Sequence, residues 1–223
     1  DLSEGDVKIY GELGEGTDIA GFDVGGSRVG FFETVANALA DANVATIVLS
    51  GEVDGFKVNR NVTIQGGTIN PVKVEGTVSG IKVGAGKTVV IDGLTINGTG
   101  NGGQVVGIET QANVKLTVKN AKISEVTTGI YLNPGSVLTA TGNTISNAVA
   151  GIGSDKADLT GDISNNTFAD CEEAIGLNLP INADGSPMIK KEADDLVATL
   201  IATNSLTVGD VKLYGEFPSK KVR

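Results

Sequence analysis

Leu116-Thr117-Val118-Lys119-Asn120-Ala121-Lys122-Ile123 runs on to Gly129-Ile130-Tyr131-Leu132, and 22 residues later Leu138-Thr139-Ala140-Thr141-Gly142-Asn143-Thr144-Ile145 runs on to Gly151-Ile152. Working outward, the same pattern recurs upstream as Val62-Thr63-Ile64 to Ile69, then Gly80-Ile81. It recurs again as Val89-Val90-Ile91 to Ile96, then Gly107-Ile108, and downstream as Leu159 to Phe168, then Ala174-Ile175. The series Ile69, Ile96, Ile123, Ile145, Phe168 steps by 27, 27, 22 and 23 residues. The Gly/Ala-Ile markers step by 27, 22, 22 and 23. Two separate landmarks that share nearly one period indicate a repeat architecture.

Within each repeat the apolar positions alternate with polar ones and are rich in Val, Ile and Thr. Gly, Asn and Asp separate them at Gln65-Gly66-Gly67, Asp92-Gly93, Lys119-Asn120 and Thr141-Gly142-Asn143. Alternation turns one face of each strand inward, and the turns are too short for crossover helices. Stacked as coils, each strand pairs with its copies above and below at about 4.8 Å per coil. The reading is an all-β solenoid of about five to six coils over residues 44–180. A β-sandwich has strands at similar spacing but no need of matched landmarks.

The Val62-Thr63-Ile64-x-Gly66-x-Thr68-Ile69 and Leu138-Thr139-x-x-x-Asn143-Thr144-Ile145-x-Asn147…Gly151-Ile152 patterns resemble the right-handed parallel β-helix of the pectate-lyase-like superfamily. The resemblance implies a fold and leaves the function open, because that superfamily holds lyases, hydrolases, phage spikes, adhesins and surface-layer domains.

Composition narrows the chemistry. The 223 residues include 32 Gly, one Cys, one Met, no Trp and no His, with a net charge of −10. Without histidine there is no Ser-His-Asp triad, Cys-His dyad or HExxH zinc site. One cysteine excludes an intrachain disulfide framework and a CxxC pair. The negative field repels nucleic acid and anionic lipid, and no apolar run is long enough for a spanning helix, so neither nucleic-acid binding nor membrane insertion is expected. A start at Asp1 is expected of a processed or partial chain. Acidic, cysteine-poor, Gly/Thr/Asn/Val-rich composition is common among exported prokaryotic surface proteins, so a secreted, extracellular or cell-surface location is expected.

The ends flank the repeats as residues 1–43 and 181–223, and the whole reads as one compact domain. Helical spacing of Phe31, Phe32, Val35, Ala36, Leu39 and Ala40 predicts a capping helix over residues 31–42, followed by a strand over residues 45–49. Ser186 as N-cap and Pro187 at the first helical position predict an amphipathic helix over residues 186–202. The termini echo each other: residues 2–13 match residues 206–217 at eight of twelve positions, including Gly5-Asp6-Val7-Lys8 and Gly209-Asp210-Val211-Lys212. Three readings of the echo stand: the two strands pair as a small sheet, the chain is one unit of a tandem array, or one copy's tail replaces or augments another's head. For the last, Val7, Ile9, Leu13, Val211, Leu213 and Phe217 are the candidate assembly residues.

Catalytic candidates are few, and no catalytic residue is assigned. Lyase chemistry, as the resemblance implies it, needs carboxylates around Ca²⁺. The best acidic cluster is Asp155, Asp158 and Asp162, near Lys156. No other cofactor is expected. Arg60 and Asp92 fall nearly one coil apart. Tyr131 is the one aromatic that alternation turns outward for a sugar. Cys171 sits among acids that hold a thiol protonated. The Gly98–Gly103 stretch lacks the Lys-Ser/Thr and helix of a phosphate loop. The expected function is a non-enzymatic extracellular structural subunit of a surface layer or filament, partnering copies of itself. The alternatives are a Ca²⁺-dependent polysaccharide-binding or lyase-like domain, and a phage or cell-adhesion module.

Overall fold

The computed structural model describes residues 8–10, 19–22, 28–32, 34–49 and 51–218, with side chains from Phe32 onward. It is a parallel β-solenoid of about five turns, with a short helix near each end.

Each turn has three limbs. The first limb is the strand series Thr46–Leu49, Val62–Gln65, Thr88–Asp92, Lys115–Lys119, Val137–Thr141 and Ile163–Ser164, paired in that order within one sheet. The second and third limbs fuse in the later turns into single long strands, Lys122–Leu132, Thr144–Asp155 and Thr167–Asn178. The register aligns the repeat landmarks: Ile69 pairs Ile96, Ile96 pairs Ile123, Ile123 pairs Ile145 and Ile145 pairs Phe168. Ile81, Ile108, Ile130, Ile152 and Ile175 form a second column. Both are interior columns, and Ile69, Ile81, Ile96, Ile108 and Ile130 are fully buried.

The corners explain the glycine surplus. Between the first and second limbs the corners take a left-handed φ: Gly66 and Gly67 lie at 65° and 75° in one turn, and Gly93, Asn120, Gly142 and Asn165 at 71°, 52°, 67° and 57° in the next four. Asn and Gly bear that conformation at least cost. The N–H groups of Gly93, Asn120 and Gly142 each donate to a carbonyl one turn along, as Gly93 does to Lys119 at 2.9 Å, while that of Asn165 donates to the Thr203 carbonyl in the C-terminal helix. A second column of left-handed residues, Glu125, Asn147 and Asp170, bends the long strands between limbs. The glycine of the Gly-Ile marker has a different cause. The paired register passes over Gly129 and Gly151, and a Cβ on Gly129 would lie 2.5 Å from the Gly151 carbonyl oxygen and 2.7 Å from Ile145 Cγ2.

Asn143, Asn166 and Asn204 are stacked and buried beside the first corner. Asn143 Nδ2 donates to Asn166 Oδ1 at 2.8 Å, and Asn166 Nδ2 donates to Asn204 Oδ1 at 2.9 Å. Asn204 closes the C-terminal helix, so the helix is keyed to the column of coils.

Both helices are shorter than the spacing predicts. Phe31 and Phe32 belong to the strand Arg28–Phe32, which pairs antiparallel with Ile19–Phe22. The helix α1 (Val35–Ala40) starts only after Thr34, whose Oγ1 accepts from Asn37 N at 3.1 Å. The strand that follows is Thr46–Leu49. At the other end the helix α2 (Lys190–Thr203) starts four residues later than expected. Ser186 is not its N-cap: its N–H and hydroxyl donate to Asp184 Oδ1, and Pro187 bridges Ile181. Glu192 closes the first turn instead, accepting from Ile189 N at 3.1 Å. The apolar face of α2, Ala193, Leu196 and Leu200, is buried against the end of the coil stack.

Candidate assembly interface at the C-terminal end

Among the described residues the terminal strands do not pair with each other. Lys8–Tyr10 runs parallel to Arg28–Phe32 at one end of the first sheet. Val211–Tyr214 runs parallel to Thr167–Asn178 at the opposite end of the molecule, with Val211 beside Ile175, Lys212 beside Gly176, Leu213 beside Leu177 and Tyr214 beside Asn178. The tail is therefore the third limb of one further turn. Among the described residues, its outer edge pairs no other strand.

Its seat is built from both backbone and side chains. A turn precedes it, in which Asp210 Oδ2 accepts from Thr207 Oγ1 at 2.6 Å and Thr207 N at 2.7 Å. Those bonds, hydroxyl first, hold the Asp210 carboxyl below its ordinary range. The Asp210 carbonyl then accepts from Ala174 N and Ile175 N at 2.9 and 3.1 Å. Tyr214 OH donates to Glu173 Oε2 at 2.5 Å, and Lys212 Nζ lies 3.7 Å from the same oxygen. The bond to Glu173, then partial burial, raises the Tyr214 phenol above its ordinary range. Leu179, at a left-handed φ of 46°, donates its N–H to the Tyr214 carbonyl at 3.1 Å. Gly215, itself at φ 96°, leaves room for that side chain, since a Cβ there would fall 2.5 Å from Leu179 Cδ2. A cleft of about 580 Å³ flanks the seat, and Pro134, Leu179, Pro180, Met188 and Phe217 supply its apolar walls.

Of the assembly residues expected from sequence, Val7 and Leu13 lie outside the described residues, as does the side chain of Ile9. Val211 is buried, and Leu213 and Phe217 pack partly buried against the chain's own core. The groups that hold the tail most specifically, Asp210, Tyr214, Gly215 and their partner Glu173, are not among those six residues. The signal was present, because Asp6, Tyr10 and Gly11 repeat three of them.

The acidic candidates do not converge. Asp155 Oδ1 accepts from Asn178 Nδ2 at 3.1 Å, on the third limb. Asp158 is buried, with its Oδ1 accepting from Thr160 N and Oγ1 at 2.8 and 2.6 Å. Asp162 accepts from Ser164 Oγ at 2.7 Å. Among the described residues no three His, Cys, Asp or Glu side chains are grouped to hold a metal ion. Arg60 and Asp92 do not meet. The guanidinium donates to the Asp41, Ala42 and Val44 carbonyls below α1, and Asp92 accepts from Asn120 Nδ2. Tyr131 stands beside Glu109 and Gly153 on the outer third limb. Burial first, then the charges of Asp155 and Glu109, raises its phenol. On the same limb Lys82 is buried in an ion pair with Glu109 at 3.3 Å, and Glu109 also accepts from Ser79 Oγ at 3.1 Å. Burial is the largest influence on the Cys171 thiol and raises it. Among the described residues no helix is long and apolar enough to cross a membrane.

No curated protein and no solved structure matches this chain. The family described as "Right handed beta helix region" matches it over residues 20–168 and again over 104–190. That family includes both enzymes and non-enzymes. With matched landmarks aligned turn by turn and a family match over most of its length, the chain belongs to the right-handed β-helix family.

Proposed function

We propose that this chain is a non-catalytic structural module that builds an extracellular or cell-surface layer or filament by end-to-end association of solenoids. One observation carries the reading. The tail adds a single limb of a further turn, with an outer edge that no other strand pairs among the described residues, and its sequence recurs at the head of the same chain. Parallel edges of this kind are templates for another strand, and proteins that remain single ordinarily blunt them. A continuous ladder with neighbour-to-neighbour packing also suits a load-bearing exterior part.

The test is sedimentation and electron microscopy of the full chain over a range of concentrations. Regular polymers or sheets support the structural role, and a chain that stays monomeric at every concentration overturns it. Incubation with acidic polysaccharides and Ca²⁺ provides the contrast. Release of unsaturated products would place the chain among the lyases.

A further inference from the structure

Resting on that reading, we infer that the seat of the tail strand on Thr167–Asn178 is a receptor for the head segment, residues 2–13, of a second copy of this chain. What holds the tail is known atom by atom, and the head supplies the same groups in the same order. Asp6 stands for Asp210, Val7 for Val211, Lys8 for Lys212, Tyr10 for Tyr214 and Gly11 for Gly215. The acceptor for the phenol and the ammonium, Glu173, is contributed by the receiving copy, so the charge complementarity transfers intact.

The four positions that differ are the ones where the seat tolerates a difference. Ser3 replaces Thr207 and keeps the hydroxyl and N–H that close the turn on the aspartate. Glu4 replaces Val208, which is 94% exposed and so meets nothing in the seat. Ile9 replaces Leu213 and Leu13 replaces Phe217, apolar for apolar, at two half-buried positions. The head strand's own site is likewise a parallel edge, on Arg28–Phe32. A head and a tail can therefore exchange places between two copies, each entering a parallel edge, which is the condition for strand exchange. Within one chain the described head residues, Lys8–Tyr10, lie at the opposite end of the stack from this seat, roughly 20 Å or more away at about 4.8 Å per strand step.

A fluorescent peptide of residues 2–13, titrated into the full chain and read by anisotropy, tests the seat. The chain's own tail competes, so weakening it by Asp210→Ala with Tyr214→Ala should tighten peptide binding by roughly tenfold or more. Making Asp6→Ala and Tyr10→Ala in the peptide should weaken binding to the unaltered chain by a similar factor. In a Cys171→Ser background, Tyr10→Cys with Asn178→Cys should yield disulfide-linked ladders between chains. Binding that ignores both pairs of alanine substitutions, or no binding to the weakened-tail chain, overturns the inference. If the chain polymerises but the thiols do not link and the peptide does not bind, the joint lies elsewhere and the structural role stands. If the peptide binds as expected but no polymer ever forms, the joint stands and the structural role falls.

Discussion

Asn166→Ala removes the middle member of the buried asparagine column, and the cost follows from the bonds it makes. Asn166 Oδ1 accepts from Asn143 N at 3.1 Å and Asn143 Nδ2 at 2.8 Å. Its Nδ2 donates to the Ala140 carbonyl and to Asn204 Oδ1, each at 2.9 Å. Asn143 Nδ2 keeps a second acceptor in the Val118 carbonyl at 2.9 Å, so its loss is partial. The Asn143 N–H, in a residue only 1% exposed, loses its side-chain acceptor, and the Ala140 carbonyl loses a donor. A buried polar group left without its partner costs about 1–3 kcal/mol. The Ala140 carbonyl keeps its ladder bond to the Ile163–Ser164 strand, so one full orphan, the Asn143 N–H, predicts a loss of about 1–3 kcal/mol. Equilibrium urea unfolding followed by far-ultraviolet circular dichroism reads this as a lower midpoint with an unchanged slope. Asn166→Asp sharpens the test. A carboxylate would face the Ala140 carbonyl and Asn204 Oδ1, two acceptors, so its folded-state pKa is raised and the protonated form is favoured. The folded state then binds more protons, so the deficit should be larger at pH 7 than at pH 4. A loss under about 0.5 kcal/mol for Asn166→Ala, far below the cost of one buried orphan, refutes the reasoning. So does a deficit for Asn166→Asp that shrinks as pH rises.

Other outcomes follow from single contacts. Gly129→Ala puts a methyl 2.5 Å from the Gly151 carbonyl oxygen and should cost about 1–3 kcal/mol in a thermal or urea melt, whereas the same change at open Gly102 should be nearly silent. The raised Tyr214 phenol favours the protonated side chain in the folded state. Its contribution is full below the unfolded pKa of about 10 and lost as pH rises through the folded value. Tyr214→Phe should therefore flatten the alkaline end of the stability–pH profile, with no change near neutrality in that dependence. Burial of Cys171, which raises its thiol, predicts slow labelling by a disulfide reagent at pH 8 in the folded chain and fast labelling in urea.

The coils were legible because interior columns repeat the same residue at the same phase. Ile123 and Ile145 announce each other, and the register pairs them. The helix boundaries were less legible because apolar spacing says nothing about which backbone groups are already taken. Phe31 and Phe32 fit a helical face, yet their strand's pairing with Ile19–Phe22 claims them first. Ser186 and Pro187 have the chemistry of a helix start, yet Asp184 captures the serine two residues back. The tail seat was half legible. The echo of the termini pointed to it, but Glu173, whose role depends on a neighbour 41 positions away, carries no mark in its own surroundings. Asn204 was hidden for the same reason, since only the fold brings a helix C-cap into line with Asn143 and Asn166.

The C-terminal end of the stack is not flat. The first limb stops under α2, anchored by Asn204, while the third limb continues for one more strand beyond it. A stepped end has no rotational ambiguity. Whatever abuts it must present a riser where this chain has a tread, so it can approach at only one azimuth. In a flat-ended rod the angle between successive units would be set by weak side-chain preferences. Here it would be set by the outline of the fold, and any stack built on this end would inherit a defined twist from the shape of a single molecule.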